Sequence, residues 1–191
     1  AGRPVQGAQM VEQGEQRHLG RTGGAILDLE RQTETQIRDG GEVGPADALI
    51  MARSGLERVG LAGRIAHEFA ALEMLPAAGQ GIVAVECAAS DWKTRQYLAL
   101  IDDPAAHLCA DAEREVLWVL NGHCNSPIAG YSTINGREMT LTASVLDLEG
   151  DRLLEASRSG PADKPRELGR AVAFDLLAQG AAAIIETSRP E

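Results

Sequence analysis

Apolar positions are sparse and unpatterned up to about residue 45, return at helical spacing between about 91 and 120, and alternate from 128 onward. The clearest element is a helix over Asp103 to Leu120. Asp103 stands at the N-cap, Pro104 follows at N1, Leu108, Ala112, Val116, Val119 and Leu120 share one face, and Asn121-Gly122 stops it. After Pro127 the period falls to two. Ile128 to Ile134, an Asn135-Gly136 turn and Met139-x-Leu141-x-Ala143-x-Val145 predict a hairpin of the I′ class, with Thr140, Thr142 and Ser144 on the opposite face. Glu149-Gly150-Asp151 turns the chain into a third strand, Arg152 to Ser157. A last helix, Pro165 to Leu177, presents Leu168, Val172 and Leu176 on one side before Gly180. The expected unit is a three-stranded antiparallel sheet with helices covering one face.

The preceding region gives weaker signals. Ala46 to Arg53, with Ala48-Leu-Ile-Met-Ala52 at its centre, reads as a short buried strand, and Ser54 is placed to cap a helical turn through Leu56 to Val59. Arg64 to Leu72 reads as a second short helix, with His67 and Glu68 on its exposed edge. Gly79-Gln-Gly81 after Pro76 predicts a tight turn, Ile82 to Glu86 a buried strand, and Asp91 to Leu100 a helix. Within residues 1–45, Asp28 to Arg38 is expected to form a polar helix ended by Asp39-Gly40-Gly41, and Glu12 to Glu15 a solvated face. The fold class is α/β with an α+β C-terminal part. The division is 1–45, poorly defined, 46–97, a partial α/β domain with a crossover segment, and 98–191, an α+β domain.

Charge and composition narrow the chemistry. With 18 Lys+Arg against 28 Asp+Glu the net charge is −10, which repels a nucleic-acid backbone, and 3% aromatics leave little for base stacking. Lys93 and Lys164 are the only lysines, so the basic residues are almost all arginines, whose planar fork suits carboxylates. No apolar run reaches 18 residues, and the N-terminal residues lack a signal-peptide pattern, so a cytoplasmic protein without membrane contact is expected. Cys87, Cys109 and Cys124 are odd in number and form no Cys-x-x-Cys, which argues for at least one free thiol. His107-x-Cys109 and His123-Cys124 have metal-ligand side chains without a zinc spacing, and no metal is expected.

Three segments read as motifs. They are Asp47-Ala-Leu-Ile-Met-Ala-Arg-Ser-Gly-Leu-Glu-Arg-Val-Gly-Leu61, Leu75-Pro-Ala-Ala-Gly-Gln-Gly-Ile-Val-Ala-Val-Glu86, and Ala112-Glu-Arg114 followed by Leu120-Asn-Gly-His-Cys-Asn-Ser-Pro-Ile-Ala-Gly-Tyr131. In this order they are similar to DAxxLAxAGLxRLGL, LPAxGQGxxxxE and AERxxLxxLxGGCxxPIGxYA, and over about residues 42–191 the chain thereby resembles the hydroxymethylbilane synthase (porphobilinogen deaminase) family. The resemblance implies that the residues before 98 are part of a periplasmic-binding-protein-like α/β domain, with 1–45 a remnant of a second domain, and that 98–191 is the cofactor-carrying domain.

The resemblance further implies that Cys124 holds a dipyrromethane cofactor through a thioether, since a thiolate can add to an electrophilic pyrrolic methylene. Arg58 matches the family arginine that binds the acidic side chains of cofactor or substrate, and a guanidinium fork suits the acetate and propionate arms of porphobilinogen. Arg53 and Arg64 match no family ligand. His123 stands where the family commonly has Gly and, if protonated, would favour the Cys124 thiolate. Gly79 and Gly81 fit a backbone that turns tightly. The catalytic aspartate of the family lies in a Lys-Asp-x-Pro segment that this sequence does not contain, and the SxxRR and RGNxxTRL runs are also missing. The implied function is a transferase that joins porphobilinogen units into a linear tetrapyrrole in haem or chlorophyll biosynthesis. The alternative is a truncated, non-catalytic member that only binds pyrroles. The small-molecule substrate is the expected partner, with the chain a monomer or joined by another chain that supplies the missing domain.

Overall fold

The computed structural model describes residues 48–189, with side chains from residue 50, and the backbone of three earlier strands. These are β1 (Gly24–Asp28), β2 (Gln36–Asp39) and β3 (Glu42–Pro45). The readings made for residues 1–23, the Glu12 to Glu15 cluster among them, lie outside the described residues. β4 (Ala48–Ala52) and β5 (Ile65–Glu68) flank β1, both antiparallel to it. The helix expected over Asp28 to Arg38 is absent at both ends, because Asp28 closes β1 and Gln36 opens β2. β2 pairs with β3 so that Asp39 faces Glu42. Gly40-Gly41, read as a helix stop, lies outside the described residues. β4 is a strand as expected but not a buried one, with Ile50 59% and Met51 42% exposed. Ser54 caps nothing. It lies inside α1 (Arg53–Arg58), whose N-cap is Ala52 and has no side-chain hydrogen bond. The helix expected over Arg64 to Leu72 is replaced by a 3-10 turn, Ala62–Arg64, and β5, since pairing with β1 outweighs weak local helical preference. Glu68, expected on a helix edge, receives Arg53 Nη1 at 2.8 Å.

Ile82 to Glu86 has the β-branched composition of a strand and no strand beside it. It runs as irregular chain with Val83 87% and Val85 59% exposed. A strand is stabilised by its cross-strand pairs, and propensity alone does not supply them. α2 (Trp92–Leu98) and α3 (Pro104–Val119) follow; Asp103 caps α3 as expected, and Asp91, read as the first residue of a helix, caps α2. The Asp91 carboxyl accepts from the Thr94 hydroxyl at 2.6 Å and the Thr94 N–H at 3.0 Å, and these bonds hold it below the usual carboxylate range.

β6 (Ile128–Asn135), β7 (Glu138–Leu146) and β8 (Leu153–Pro161) form the expected antiparallel sheet with β7 in the centre. Asn135 pairs with Glu138, so the turn residues are Gly136 and Arg137 rather than Asn135 and Gly136. Gly136 has φ +62° and Arg137 is not in the left-handed region, which is the II′ pattern in place of the expected I′. Met139, Leu141, Ala143 and Val145 are wholly buried against α3, α4 (Pro165–Ala178) and α5 (Ala181–Thr187). On the other face hydroxyls pair across the strands, Thr140 with Ser159 at 2.7 Å and Thr142 with Ser157 at 2.8 Å. No single described helix is long and apolar enough to cross a membrane. α4 and α5 pass by length and composition only as a pair, bent by 83°.

α3 and α4 touch backbone to side chain at Gly169. A Cβ built there would overlap the Ala112 carbonyl oxygen and stand 2.8 Å from Glu115 Cβ. Ion pairs lie on either side of this crossing, Arg166 to Asp111 at 3.1 Å and Arg170 to Glu115 at 2.7 Å. Arg158 grips Asp175 through two bonds of 2.5 and 2.8 Å, and these hold the Asp175 carboxyl below the usual range. Exposed pairs of this kind contribute little, so the close approach should dominate. Gly169→Ala is expected to destabilise by about 1–3 kcal/mol, because backbone atoms must move apart. Gly63→Ala, where no heavy atom lies within 4 Å, is the control. Thermal melting reads the difference, and equal melting of the two variants would contradict the close approach.

Candidate functional site

α3 ends by a left-handed residue, and this ending aims the next loop. Asn121 has φ +53°; its N–H donates to Trp118 O at 3.2 Å, and Gly122 N–H donates to Leu117 O at 2.9 Å. That is the paired bonding of a Schellman motif. Gly122 is confined because a side chain there would meet Ile128 Cδ1 at 3.0 Å. The chain then turns over residues 123–126. Ser126 N–H donates to His123 O at 3.0 Å, and His123 N–H donates to Ser126 Oγ at 2.8 Å. Cys124 is the second residue of this turn, exposed, and makes no hydrogen bond with another described residue.

His123 is not arranged to assist the thiol. Asn125 N–H donates to its Nδ1 at 3.3 Å, and its Nε2 lies 3.3 Å from Ser188 Oγ. The Ser188 hydroxyl donates to Ile185 O at 2.7 Å, so the Ser188 oxygen is left to accept and Nε2 carries the hydrogen. Both ring nitrogens are therefore engaged by a backbone amide and the end of α5. The expected role of His123 as a positive neighbour for Cys124 is replaced by that of an anchor for its turn. Arg189 adds a second tie, from Nη2 to Asn121 O at 3.3 Å. Neither Ser188 nor Arg189 drew notice from sequence, as both follow the last apolar positions.

Arg58 lies in the last turn of α1. Leu56, 1% exposed, pins that helix, and Gly60 with φ +77° ends it through bonds from Gly60 to Glu57 O and from Leu61 to Leu56 O. The guanidinium is exposed and makes no hydrogen bond or ion pair with another described residue. A cation at a helix C-terminus also complements the helix dipole. α1 packs on β4, β5 and the 3-10 turn, whereas the Cys124 turn is built on α3 and tied to the end of α5. The structure therefore does not bring Arg58 and Cys124 into contact. Arg53 is engaged by Glu57 and Glu68, which raise its pKa and occupy its fork.

Gly79 and Gly81, at φ +78° and +80°, are the third residues of two overlapping turns, closed by Gln80 N–H to Ala77 O and Ile82 N–H to Gly79 O. The turns are held by Glu113, a residue quoted in the third motif without a role. Glu113 is fully buried: Oε2 accepts from Gly79 N–H at 2.8 Å, and Oε1 accepts from Ser132 N–H at 2.8 Å and Ser132 Oγ at 2.7 Å. Gly130 N–H donating to Pro76 O at 2.9 Å and a bridge between Ala77 and Ala129 complete the attachment. Glu113 thus joins the second motif to the third. The available signal was a carboxylate three residues before Val116 and four after Cys109, on the apolar side of α3.

The other thiols are less open. Cys87 is partly buried after the irregular 82–86 segment, and Cys109 Sγ lies 3.7 Å from Ser132 O, facing the sheet. His107 points elsewhere, with Nε2 2.7 Å from Asp102. The described residues hold no group of three metal-ligating side chains.

Comparison with known proteins gives two domain matches in chain order. Residues 25–96 match the model described as porphobilinogen deaminase, dipyromethane cofactor binding domain, and residues 107–178 match porphobilinogen deaminase, C-terminal domain. The chain is 37% identical over 161 residues to the porphobilinogen deaminase of Syntrophobacter fumaroxidans, covering 84% of this chain and 52% of that one. It is 41% identical over 164 residues to that of Acidithiobacillus ferrooxidans, covering 86% and 53%. The chain spans about half the length of the curated relatives it matches.

Proposed function

The chain belongs to the porphobilinogen deaminase family, and on that premise we propose that Cys124 tethers a dipyrromethane through a thioether while Arg58 receives the acidic arms of pyrroles. The protein of which these residues are part then joins porphobilinogen into a linear tetrapyrrole for haem or chlorophyll formation. The observation that carries the reading is Cys124 itself. It is the exposed thiol of the three, on a turn fixed from both sides, where a bulky adduct has room. Attack of the Cys124 sulfur on the aminomethyl carbon of a pyrrole forms S–C and breaks C–N, and ammonia leaves with the thiol proton. When bound, the dipyrromethane supplies the primer to which further units are joined. Cys124 fits that group by its chemistry, and Arg58 by a fork with no partner among the described residues.

Residues 1–191 contain no Lys-Asp-x-Pro segment, so protonation of the leaving amine falls to residues outside this stretch or to another chain. This favours, for the isolated polypeptide, the second reading of a pyrrole-binding chain without turnover. Cys87, Cys109 and Cys124 form no disulfide among the described residues, which accords with the cytoplasmic setting we propose.

Protein produced in a haem-forming host should carry a dipyrromethane-sized adduct on the peptide containing Cys124, as read by intact and peptide mass spectrometry. Arg58→Ala should retain about tenfold less pyrrole while its stability stays within about 0.5 kcal/mol. An adduct on Cys87 or Cys109 overturns the site. Absence of any adduct, also after incubation with porphobilinogen, overturns the reading.

A further inference from the structure

We propose that Ser188 and Arg189, the turn that follows α5, act as a latch that positions the Cys124 thiol for attachment of its pyrrole, with His123 as the transmitting residue. The proposal rests on the reading of Cys124 as the attachment point and adds to it the part of the chain that aims the sulfur.

The geometry forms one connected path. The Ile185 carbonyl accepts from the Ser188 hydroxyl at 2.7 Å, and this fixes the Ser188 oxygen as acceptor for His123 Nε2 at 3.3 Å. On the far side of the ring Nδ1 accepts from Asn125 N–H at 3.3 Å. The imidazole thus spans from α5 to the residue after Cys124, while the His123 backbone closes the same turn on Ser126 through bonds in both directions. Arg189 secures the residue that starts the loop, Asn121, through its carbonyl oxygen at 3.3 Å. Cys124 is therefore flanked by two residues, His123 and Asn125, that share one side chain as their tie. Ser188 is 8% exposed and Ile185 2%, so the anchor sits in the core rather than on a fraying end.

A glycine at 123, which the aligned family motif carries, has no ring with which to make this path. Here the direction in which the sulfur leaves the loop is set by a residue 65 positions away from its partner. Reactions that need a defined approach are sensitive to such placement, and a displacement near 1 Å costs up to about a hundredfold in rate.

The test uses the full 191-residue chain and a 2-hydroxymethylpyrrole bearing acetate and propionate arms. The Cys124 sulfur bonds to the methylene carbon, the C–O bond breaks, and water leaves with the thiol proton. Attachment is followed by peptide mass spectrometry, with Cys87 and Cys109 as internal references. Ser188→Ala and Arg189→Ala should each slow attachment at Cys124 by about tenfold with unchanged melting, and Ser188→Thr, which keeps the hydroxyl, should restore it. Nitrogen NMR of His123 is the readout that does not depend on the pyrrole. Wild type should show the Nε2–H form as the dominant tautomer, and Ser188→Ala should shift it. His123→Gly serves as a second variant should either fail to fold. A shifted tautomer with altered N-ethylmaleimide labelling of Cys124, in a protein where even wild type takes no pyrrole, supports the latch and overturns the attachment reading. Unchanged tautomer, unchanged labelling and unchanged attachment in Ser188→Ala overturn the latch, whatever becomes of the attachment reading.

Discussion

Glu113→Ala is expected to lower the unfolding free energy by about 3–5 kcal/mol. The loss has three parts. Gly79 N–H, half-buried, and Ser132 N–H, buried, which bond to the carboxylate at 2.8 Å each, are left without their acceptor. The Ser132 hydroxyl gives up its 2.7 Å bond, though the Cys109 carbonyl at 3.4 Å is near enough to take it. The space vacated in a fully buried site adds a cavity cost. Glu113→Gln separates the parts. One amide oxygen replaces two carboxylate oxygens, and it serves most bonds by facing Ser132, which turns the amide N–H2 against Gly79 N–H. Gln should therefore cost less than Ala and should loosen residues 76–82 while β6 stays intact. Denaturant unfolding of both variants, with amide exchange of Gly79 and Ser132, reads this. Equal loss of protection at the two amides in Glu113→Gln would show that the carboxylate does not divide its work in this way.

The legible parts of the chain are those whose instructions are local. α3 carries its N-cap, its proline, its apolar face and its left-handed stop within the residues from Asp103 to Gly122, and each acts on backbone within a turn of itself. The β6–β7 hairpin was legible for the same reason, and only the turn class moved, because pairing extends to Asn135 and pushes the glycine to the first turn position. The misread segments are those decided at a distance. Ile65 to Glu68 is a strand because β1 lies beside it, and Gly24 to Asp28 is far behind in sequence. Ile82 to Glu86 has strand composition, but no partner in the described structure accepts it. Cys124 could be read from its motif, since the motif is contiguous. The long-range ties could not: Glu113 acts on Gly79 across 34 positions and His123 on Ser188 across 65, and neither separation leaves a periodic trace.

A fragment of residues 75–189 is expected to fold with nearly the stability of the same region in the whole chain, whereas residues 98–189 should lose about 2–3 kcal/mol. The divide first drawn at residue 98 leaves out backbone that the sheet uses. β6 is an edge strand, and the chain before it, from Pro76 to Gly79, lies along that edge through the Ala77 to Ala129 bridge and the Gly130 to Pro76 hydrogen bond. Ala78 approaches Gly130 closely enough that a Cβ on the glycine would stand 3.9 Å from Ala78 Cβ. Removing these residues uncovers an edge strand, opens the Glu113 site and invites pairing with other chains. We propose on this ground that the C-terminal folding unit starts near Leu75, with the segment after Ile82 passing outside it. Hydrogen exchange on the whole chain carries the sharper version of the prediction. The Gly79 amide, though in a turn, should exchange slowly together with Leu141 to Val145 and Leu117 to Leu120, because it is released only when the Glu113 site opens. The amides of Val83 and Val85, in exposed irregular chain four and six residues later, should exchange fast. A Gly79 amide as fast as that of Val83, or fragments of equal stability, would return the boundary to residue 98 and leave residues 75–81 as a linker that merely touches the sheet.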